Sequence, residues 1–91
     1  MMDQVRNRII FSGRVQGVGF RYRSKYAADG FGVTGWIRNE PDGTVLMEAQ
    51  GSYDQINDML KVINQSAYII VDKLDRQEIP LDLEERGFHI R

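Results

Sequence analysis

The sequence contains no cysteine and only one histidine, and both scarcities restrict its chemistry. Without cysteine there is no disulfide, no thiol nucleophile and no thiolate ligand for a metal. A Ser-His-Asp triad or a histidine-rich zinc site would have to be built on His89 alone. Either site is hard to assemble from a single imidazole, so the reactions that depend on them are disfavoured.

The sequence also lacks a surplus of positive charge and any long apolar run. Twelve Lys and Arg residues face thirteen Asp and Glu residues, which gives a net charge of −1. A general nucleic-acid binder would carry a basic surplus, so we expect no nucleic-acid partner. Because the start of the chain has no apolar signal core and no stretch of about 18 apolar residues occurs, we expect a cytoplasmic protein without a membrane span.

The length of 91 residues predicts one domain over residues 1–91. A chain of this size buries about 60–65% of its unfolded surface on folding. That burial suffices for one sheet covered on one face, and we expect a monomer as the simplest state of such a unit.

Apolar periodicity and turn residues divide the chain into five strands and two helices. Ser52 and Gln55 have the spacing of a capping box and predict the start of the second helix. Residues 75–86 are charged and contain a proline, and the pattern assigns them no structure. The predicted strands are 5–12, 33–39, 44–50, a part of 67–74 and a short one over 87–91, and the first helix is predicted over 20–29.

This order, β-α-β-β-α-β with a short terminal strand, predicts an α+β fold of the ferredoxin-like, split βαβ type. We expect an antiparallel sheet with both helices on one face and with the first and third strands in the centre. The first two strands run in the same direction because a helix connects them, so their C-terminal ends reach one edge of the sheet. With one strand between them these ends lie about 10 Å apart.

The loop between the first strand and the first helix contains the most suggestive residues. The glycines of Gln16-Gly17-Val18-Gly19-Phe20 allow successive N–H groups to turn towards one point, and the helix N-terminus adds partial positive charge. Arg21 can offer a planar fork to a phosphate, and Asn39 ends the second strand at the same edge. The alternative is a tight glycine turn with Asn39 serving as an ordinary turn residue.

Two motifs on these elements resemble those of a known family. The segment 13–21, Gly-Arg-Val-Gln-Gly-Val-Gly-Phe-Arg, resembles the signature loop of the acylphosphatases. The segment 35–39, Gly-Trp-Ile-Arg-Asn, followed by Gly43-Thr44-Val45, resembles the second signature. Ile37 stands where the family usually has a smaller residue, and Glu40 places a carboxylate next to Asn39.

The resemblance implies hydrolysis of acyl phosphates to a carboxylate and inorganic phosphate. The amides of residues 16–20 and the guanidinium of Arg21 would hold the phosphoryl group, and Asn39 would position the attacking water. No metal, no cofactor and no covalent intermediate are implied. A catalytically silent phosphate-binding module on the same scaffold is the main alternative, because a binding loop can persist without activity and Glu40 could weaken binding if its side chain points inward.

The remaining candidates receive ordinary structural interpretations. Trp36, Tyr22 and Tyr26 are expected to pack, and His89 to lie at the surface. The apolar stripe of the second helix is expected to face the core. Solvated surface positions are expected for Arg6, Arg8, Arg14, Arg23 and the pair Glu84-Glu85.

Overall fold

In the computed structural model, which describes residues 3–91, the elements follow one another in the predicted order. Within the sheet the strand order is β4-β1-β3-β2-β5, so β3 separates β1 from β2 as expected. The C-terminal ends of β1 and β2 therefore lie at the same edge of the sheet, on either side of β3. The elements are β1 Gln4–Arg14, α1 Phe20–Phe31, β2 Thr34–Asn39, β3 Val45–Ser52, α2 Tyr53–Ile63, β4 Ile70–Ile79 and β5 Phe88–Ile90.

The core lies between the sheet and the two helices. The rings of Phe11 on β1 and Phe20 on α1 meet edge to face with their centroids 4.9 Å apart, close to the start of the helix. Small Ala27 and Ala28 are buried on α1 and allow the helix to lie close to the sheet. Other fully enclosed core side chains are Ile9, Ile37, Val45, Met47, Ile56 and Met59.

The predicted capping box at the start of α2 is confirmed. The Ser52 hydroxyl accepts a hydrogen bond from the backbone N–H of Gln55 at 3.1 Å, and the Gln55 side chain accepts one from the Ser52 N–H at 2.8 Å. The Gln55 amide also donates to the carbonyl of Phe31 at 2.9 Å. One glutamine thus stabilises the start of α2 and the end of α1 together.

The expectation of a purely antiparallel sheet is wrong at one edge. β4 continues to Ile79, well beyond the predicted limit at residue 74, and β5 then pairs parallel to β2, with Gly35 opposite Phe88. β4 is antiparallel to β1, so its last residue lies at the end of the sheet away from the loop of residues 15–19. From there the chain crosses to the strand end at which β2 begins. β5 must therefore run in the direction of β2, and the sheet is mixed.

Residues 80–87 make this crossing over the sheet face that the helices leave open, and a buried ion-pair cluster fixes them there. Arg6 donates two hydrogen bonds to the Glu85 carboxylate, at 2.7 and 3.1 Å, and a third to Glu48 at 3.0 Å. Gln50 accepts from the Asp82 N–H and donates to the Asp82 carbonyl. The expected solvation of Arg6 and Glu85 is wrong, because the side chains are only 4% and 8% exposed.

The charges of this cluster shift each other's protonation equilibria. The hydrogen bond to Glu85 is the largest influence that raises the pKa of Arg6, and burial opposes it. Burial by itself would raise the pKa of Glu48, but the hydrogen bonds from Arg8 and Arg6 outweigh it and hold that pKa below its ordinary value. Arg6 and Glu48 are therefore both charged in the folded protein at neutral pH.

The expected environments of Trp36 and His89 are confirmed, whereas that of Arg23 is wrong. Arg23 is not merely solvated, because its guanidinium donates to the carbonyls of Val62 and Ile63 at 2.7–3.2 Å, at the negative end of α2. Trp36 packs on the open face as expected, with the guanidinium of Arg91 4.5 Å from its ring centre. His89 is exposed as expected. Within residues 3–91 no helix has the length and apolarity needed to cross a membrane.

Candidate active site

The loop after β1 leaves its backbone open to solvent at the start of α1. Gly17 and Gly19 have φ values of +72° and +77°, in the left-handed region that favours glycine, and no other atom lies within 4 Å of a Cβ built on either. Gly19 precedes the first residue of α1 and has no side chain that could cap the helix. The first helical hydrogen bond runs from the Arg23 N–H to the Gly19 carbonyl at 3.0 Å. The N–H groups of residues 20–22 therefore have no intrahelical acceptor.

A hollow of about 220 Å³ lies at this point between the loop, the start of α1 and the end of β2. Arg21 and Asn39 both line it, so the convergence of guanidinium and carboxamide that was predicted from the topology is observed. Gly17, Gly19 and Phe20 of the predicted loop also line it, whereas Gln16 and Val18 do not. The full set of lining residues is Val15, Gly17, Gly19, Phe20, Arg21, Tyr22 and Asn39.

Arg21 has an unusual position for a cation. It occupies the first turn of α1, where the partial positive charge of the helix opposes it, and that turn has no acidic residue. Among residues 3–91 its guanidinium has no hydrogen-bond or ion-pair partner, although the residue is half-buried. An anion in the hollow would satisfy both the guanidinium and the free helix amides.

Asn39, which also lines the hollow, has an acceptor atom without a partner. It is the last residue of β2, and its backbone is held by pairing with Val45 of β3. Its Oδ1 is buried, and no group among the described residues donates a hydrogen bond to it. Buried polar atoms are nearly always paired, so this oxygen is suited to accept from a water or a ligand.

Gln16 connects the loop after β1 to the turn that follows Asn39. Its side-chain amide donates to the carbonyls of Glu40 and Thr44, both at 2.8 Å. These carbonyls belong to the turn that follows Asn39, and the Glu40 N–H also donates to the Thr44 carbonyl at 2.9 Å. One side chain therefore links the loop to the turn beside Asn39, a role that the motif did not predict.

The carboxylate of Glu40 does not enter the hollow. It accepts a hydrogen bond from Arg38 Nε at 3.0 Å and lies beside Ile10 and Leu46 on the open face of the sheet. The neighbouring Asp42 accepts from the N–H and the hydroxyl of Thr44, and these bonds lower the pKa of its carboxyl group. The acids of the turn are thus bound to their own turn and to Arg38 rather than directed at an anion.

Val15 and Tyr22 are the two lining residues that the sequence did not assign to the site, and of these Tyr22 is exposed. Both Tyr22 and Tyr26 were expected to pack, but their side chains are 62% and 79% exposed. Their spacing of four residues places them on one face of α1, and this signal cannot by itself distinguish an inner face from an outer one. The position of Tyr22 directly after Arg21 was the available indication that it borders the site.

The described residues hold no group of three or more His, Cys, Asp or Glu side chains that could bind a metal ion. The charge of the hollow comes from the Arg21 guanidinium and from backbone N–H groups. This arrangement is suited to a small anion with several acceptor oxygens.

Comparisons with known proteins find the same family by sequence and by structure. A family model described as acylphosphatase matches residues 7–90. An acylphosphatase of Clostridium perfringens is 38% identical over 85 residues, which are 92% of this chain and 96% of that protein. One of Ligilactobacillus salivarius is 43% identical over 76 residues, 81% of this chain and 84% of that protein. The crystal structure of an acylphosphatase from Bacillus subtilis superposes with a TM-score of 0.87 at 32% identity and covers 96% of this chain and 98% of that one.

Proposed function

The chain belongs to the acylphosphatase family, whose members hydrolyse the carboxyl-phosphate bond of acyl phosphates, and we propose that Arg21 and Asn39 are its catalytic residues. Arg21 and the backbone amides of the loop 16–20, of which Gly17, Gly19 and Phe20 line the hollow, hold the phosphoryl group. Asn39 holds the attacking water through its side-chain oxygen. The reaction uses no metal, no cofactor and no covalent enzyme intermediate.

The chemistry requires few protein groups. The water oxygen bonds to phosphorus while the bond from phosphorus to the acyl oxygen breaks, and the electron pair of that bond leaves with the carboxylate. A carboxylate is a weak base, so no general acid is needed, and the water proton passes to a phosphate oxygen. The transition state is loose and carries its charge on the equatorial oxygens, which one guanidinium and a ring of amides can stabilise.

One observation supports this assignment above the others. The buried Asn39 Oδ1 has no partner among residues 3–91, and Asn39 lines the same hollow as Arg21, whose guanidinium also has none. Binding of phosphate alone would need the guanidinium but not the unused acceptor. Hydrolysis also needs a group that holds the attacking water, and an oxygen that can accept a hydrogen bond from water meets that need.

The position of Glu40 bears on the alternative of a silent phosphate-binding module. That alternative gained support from a carboxylate next to Asn39, but the Glu40 carboxylate is bound to Arg38 on the open face. Its charge is therefore directed away from the hollow. An active hydrolase is therefore favoured over a silent phosphate-binding module.

The test is hydrolysis of benzoyl phosphate by the purified protein, with a chelator present and inorganic phosphate as competitor. We expect turnover that the chelator leaves unchanged and that phosphate inhibits competitively. Phosphate binding without turnover would establish the silent module instead. A requirement for an added metal would contradict the proposed chemistry.

The expected monomer, the absence of a nucleic-acid partner and the cytoplasmic location remain proposals. The net charge of −1 supports the absence of a nucleic-acid partner. Sedimentation equilibrium at micromolar concentration tests the monomeric state, and a dimer would contradict it.

A further inference from the structure

A second hollow shares one lining residue, Tyr22, with the phosphate hollow. It is an open groove of about 570 Å³ on the outer side of α1, and its lining is mainly apolar. Tyr22 and Tyr26 form one wall, with Phe31 further along and Val62 of α2 opposite. Two tyrosines that are 62% and 79% exposed on one helix face leave a large aromatic surface in water.

Tyr22 borders both the groove and the phosphate hollow. It directly follows Arg21, so the two cavities share the residue next to the proposed phosphate ligand. In an acyl phosphate one bridging oxygen separates the phosphorus from the acyl carbon. A substrate with its phosphoryl group on Arg21 would therefore have its acyl group within reach of the groove.

The direction of the reaction also favours the groove. In phosphoryl transfer the attacking and leaving oxygens lie roughly in line through phosphorus. Asn39 belongs to the sheet layer, so the leaving acyl oxygen opposite a water held by Asn39 is directed towards the helix layer. Tyr22 and Tyr26 lie in that layer.

The lining of the groove favours an apolar acyl group. Arg23 is the one charged residue in that lining, and hydrogen bonds of 2.7–3.2 Å from its Nε and Nη2 to the carbonyls of Val62 and Ile63 hold its guanidinium at the end of α2. An alkyl or aryl chain in the groove would cover the exposed tyrosine rings.

We propose that the groove between Tyr22, Tyr26 and Val62 binds the acyl chain of the substrate, and that the preferred substrates are small acyl phosphates with an apolar acyl group. This inference rests on the proposed function, because the groove is placed by a phosphoryl group bound at Arg21. The groove contributes binding and selectivity, whereas the reaction itself takes place in the phosphate hollow.

The experiment compares kcat/KM for acetyl, butyryl and hexanoyl phosphate. The three leaving carboxylates have nearly equal basicity, so differences in rate report binding of the chain. A fully buried methylene favours binding about fourfold, and an open groove should give about half that free energy, or about twofold per methylene. Hexanoyl phosphate should therefore exceed acetyl phosphate about 15-fold in the wild type.

Variants locate the source of this preference. Tyr22→Ala and Tyr26→Ala should each reduce the ratio of hexanoyl to acetyl phosphate at least about threefold, the size expected for loss of one aromatic contact. Tyr22→Phe should retain the wild-type ratio, because the ring and not the hydroxyl forms the wall. Tyr68→Ala is the matched control, since Tyr68 is 74% exposed but does not line the groove, and it should leave the ratio unchanged.

The outcomes separate this inference from the proposed function. Hydrolysis of all three substrates with a ratio near one would overturn the groove and leave the proposed function intact. An equal loss of preference in Tyr68→Ala, or a ratio that survives in both alanine variants of the groove, would also overturn it. If none of the three substrates is hydrolysed, both the function and the groove are rejected.

Discussion

Replacing Arg6 by methionine should destabilise the fold far more than a surface arginine would. The Arg6 guanidinium donates to Glu48, Gln50 and Glu85, and its side chain is 4% exposed. Methionine fills a similar volume but removes every one of these bonds. It leaves the Glu85 carboxylate, itself 8% exposed, without its cation and close to Glu48.

The expected loss follows from that burial. Removing one partner of a buried ion pair costs about 3–5 kcal/mol, because the remaining charge stays desolvated. In a domain of this length each kcal/mol lowers Tm by about 4–8 °C, so Tm should fall by at least about 12 °C. Arg8→Met is the matched control on the same strand, since Arg8 also binds Glu48 but is 50% exposed, and it should cost at most about 1 kcal/mol.

Urea unfolding followed by fluorescence measures these differences. Trp36 is the single tryptophan and is 8% exposed on the same sheet face, so its emission reports loss of the covering segment. The double variant Arg6→Met with Glu85→Met should recover at least about 2 kcal/mol relative to Arg6→Met, because it removes the stranded charge. A loss below about 1 kcal/mol in Arg6→Met, or no recovery in the double variant, would refute the account of a buried clamp.

Three further predictions concern the turn beside the hollow and the buried glutamate. Gln16→Met removes both 2.8 Å hydrogen bonds to the turn after Asn39. It should lower kcat about 10-fold, because the Asn39 carboxamide is misplaced, and should change phosphate inhibition little. An unchanged kcat would show that Gln16 does not position Asn39. Glu40→Gln should leave kcat/KM for acetyl phosphate within about twofold, because the carboxylate faces Arg38, and a rise above about fivefold would mean that its charge reaches the phosphate. The depressed pKa of Glu48 gives a stabilisation that is complete above its ordinary value of 4.5 and is lost as the pH falls through the lower folded value. Urea unfolding between about pH 6 and pH 3 should accordingly show a shallower acid loss in Glu48→Gln than in the wild type, and parallel curves would contradict this.

The sequence predicts that Arg21 and Asn39 line one hollow because the relevant signals are local. Gly17 and Gly19 mark a loop that must turn sharply, and Arg21 follows within the same few residues. Asn39 reaches the same hollow because a βαβ crossover brings the ends of β1 and β2 to one edge. The capping box of Ser52 is equally local, and the structure has it as predicted.

The segment 75–86 could not be predicted because its structure depends on distant partners. Its charges resemble those of a solvated surface, and Glu85 becomes buried only because Arg6, 79 residues earlier, lies beneath it. The parallel pairing of β5 follows from the same crossing. Gln16 has the same limitation, since its side-chain bonds join it to carbonyls 24 and 28 residues away.

The orientation of the tyrosines on α1 is a different kind of limit. A spacing of four residues fixes that Tyr22 and Tyr26 share a face but does not say which face is covered. Ala27, Ala28 and Ser24 are the residues that α1 buries, and small side chains give a weak apolar signal. Packing is the default expectation for two tyrosines one turn apart, but the structure has both at the surface, with Tyr22 beside the hollow.

The most direct test of the account measures phosphate inhibition and turnover in Arg21→Ala and Asn39→Ala. Arg21→Ala should lower kcat/KM for benzoyl phosphate at least about 100-fold, equivalent to roughly 2.7 kcal/mol of transition-state stabilisation, and should weaken inhibition by phosphate. Asn39→Ala should lower kcat while the phosphate inhibition constant stays nearly unchanged. Full activity in either variant, or an equal loss of phosphate affinity in both, would contradict the division of roles between the guanidinium and the carboxamide.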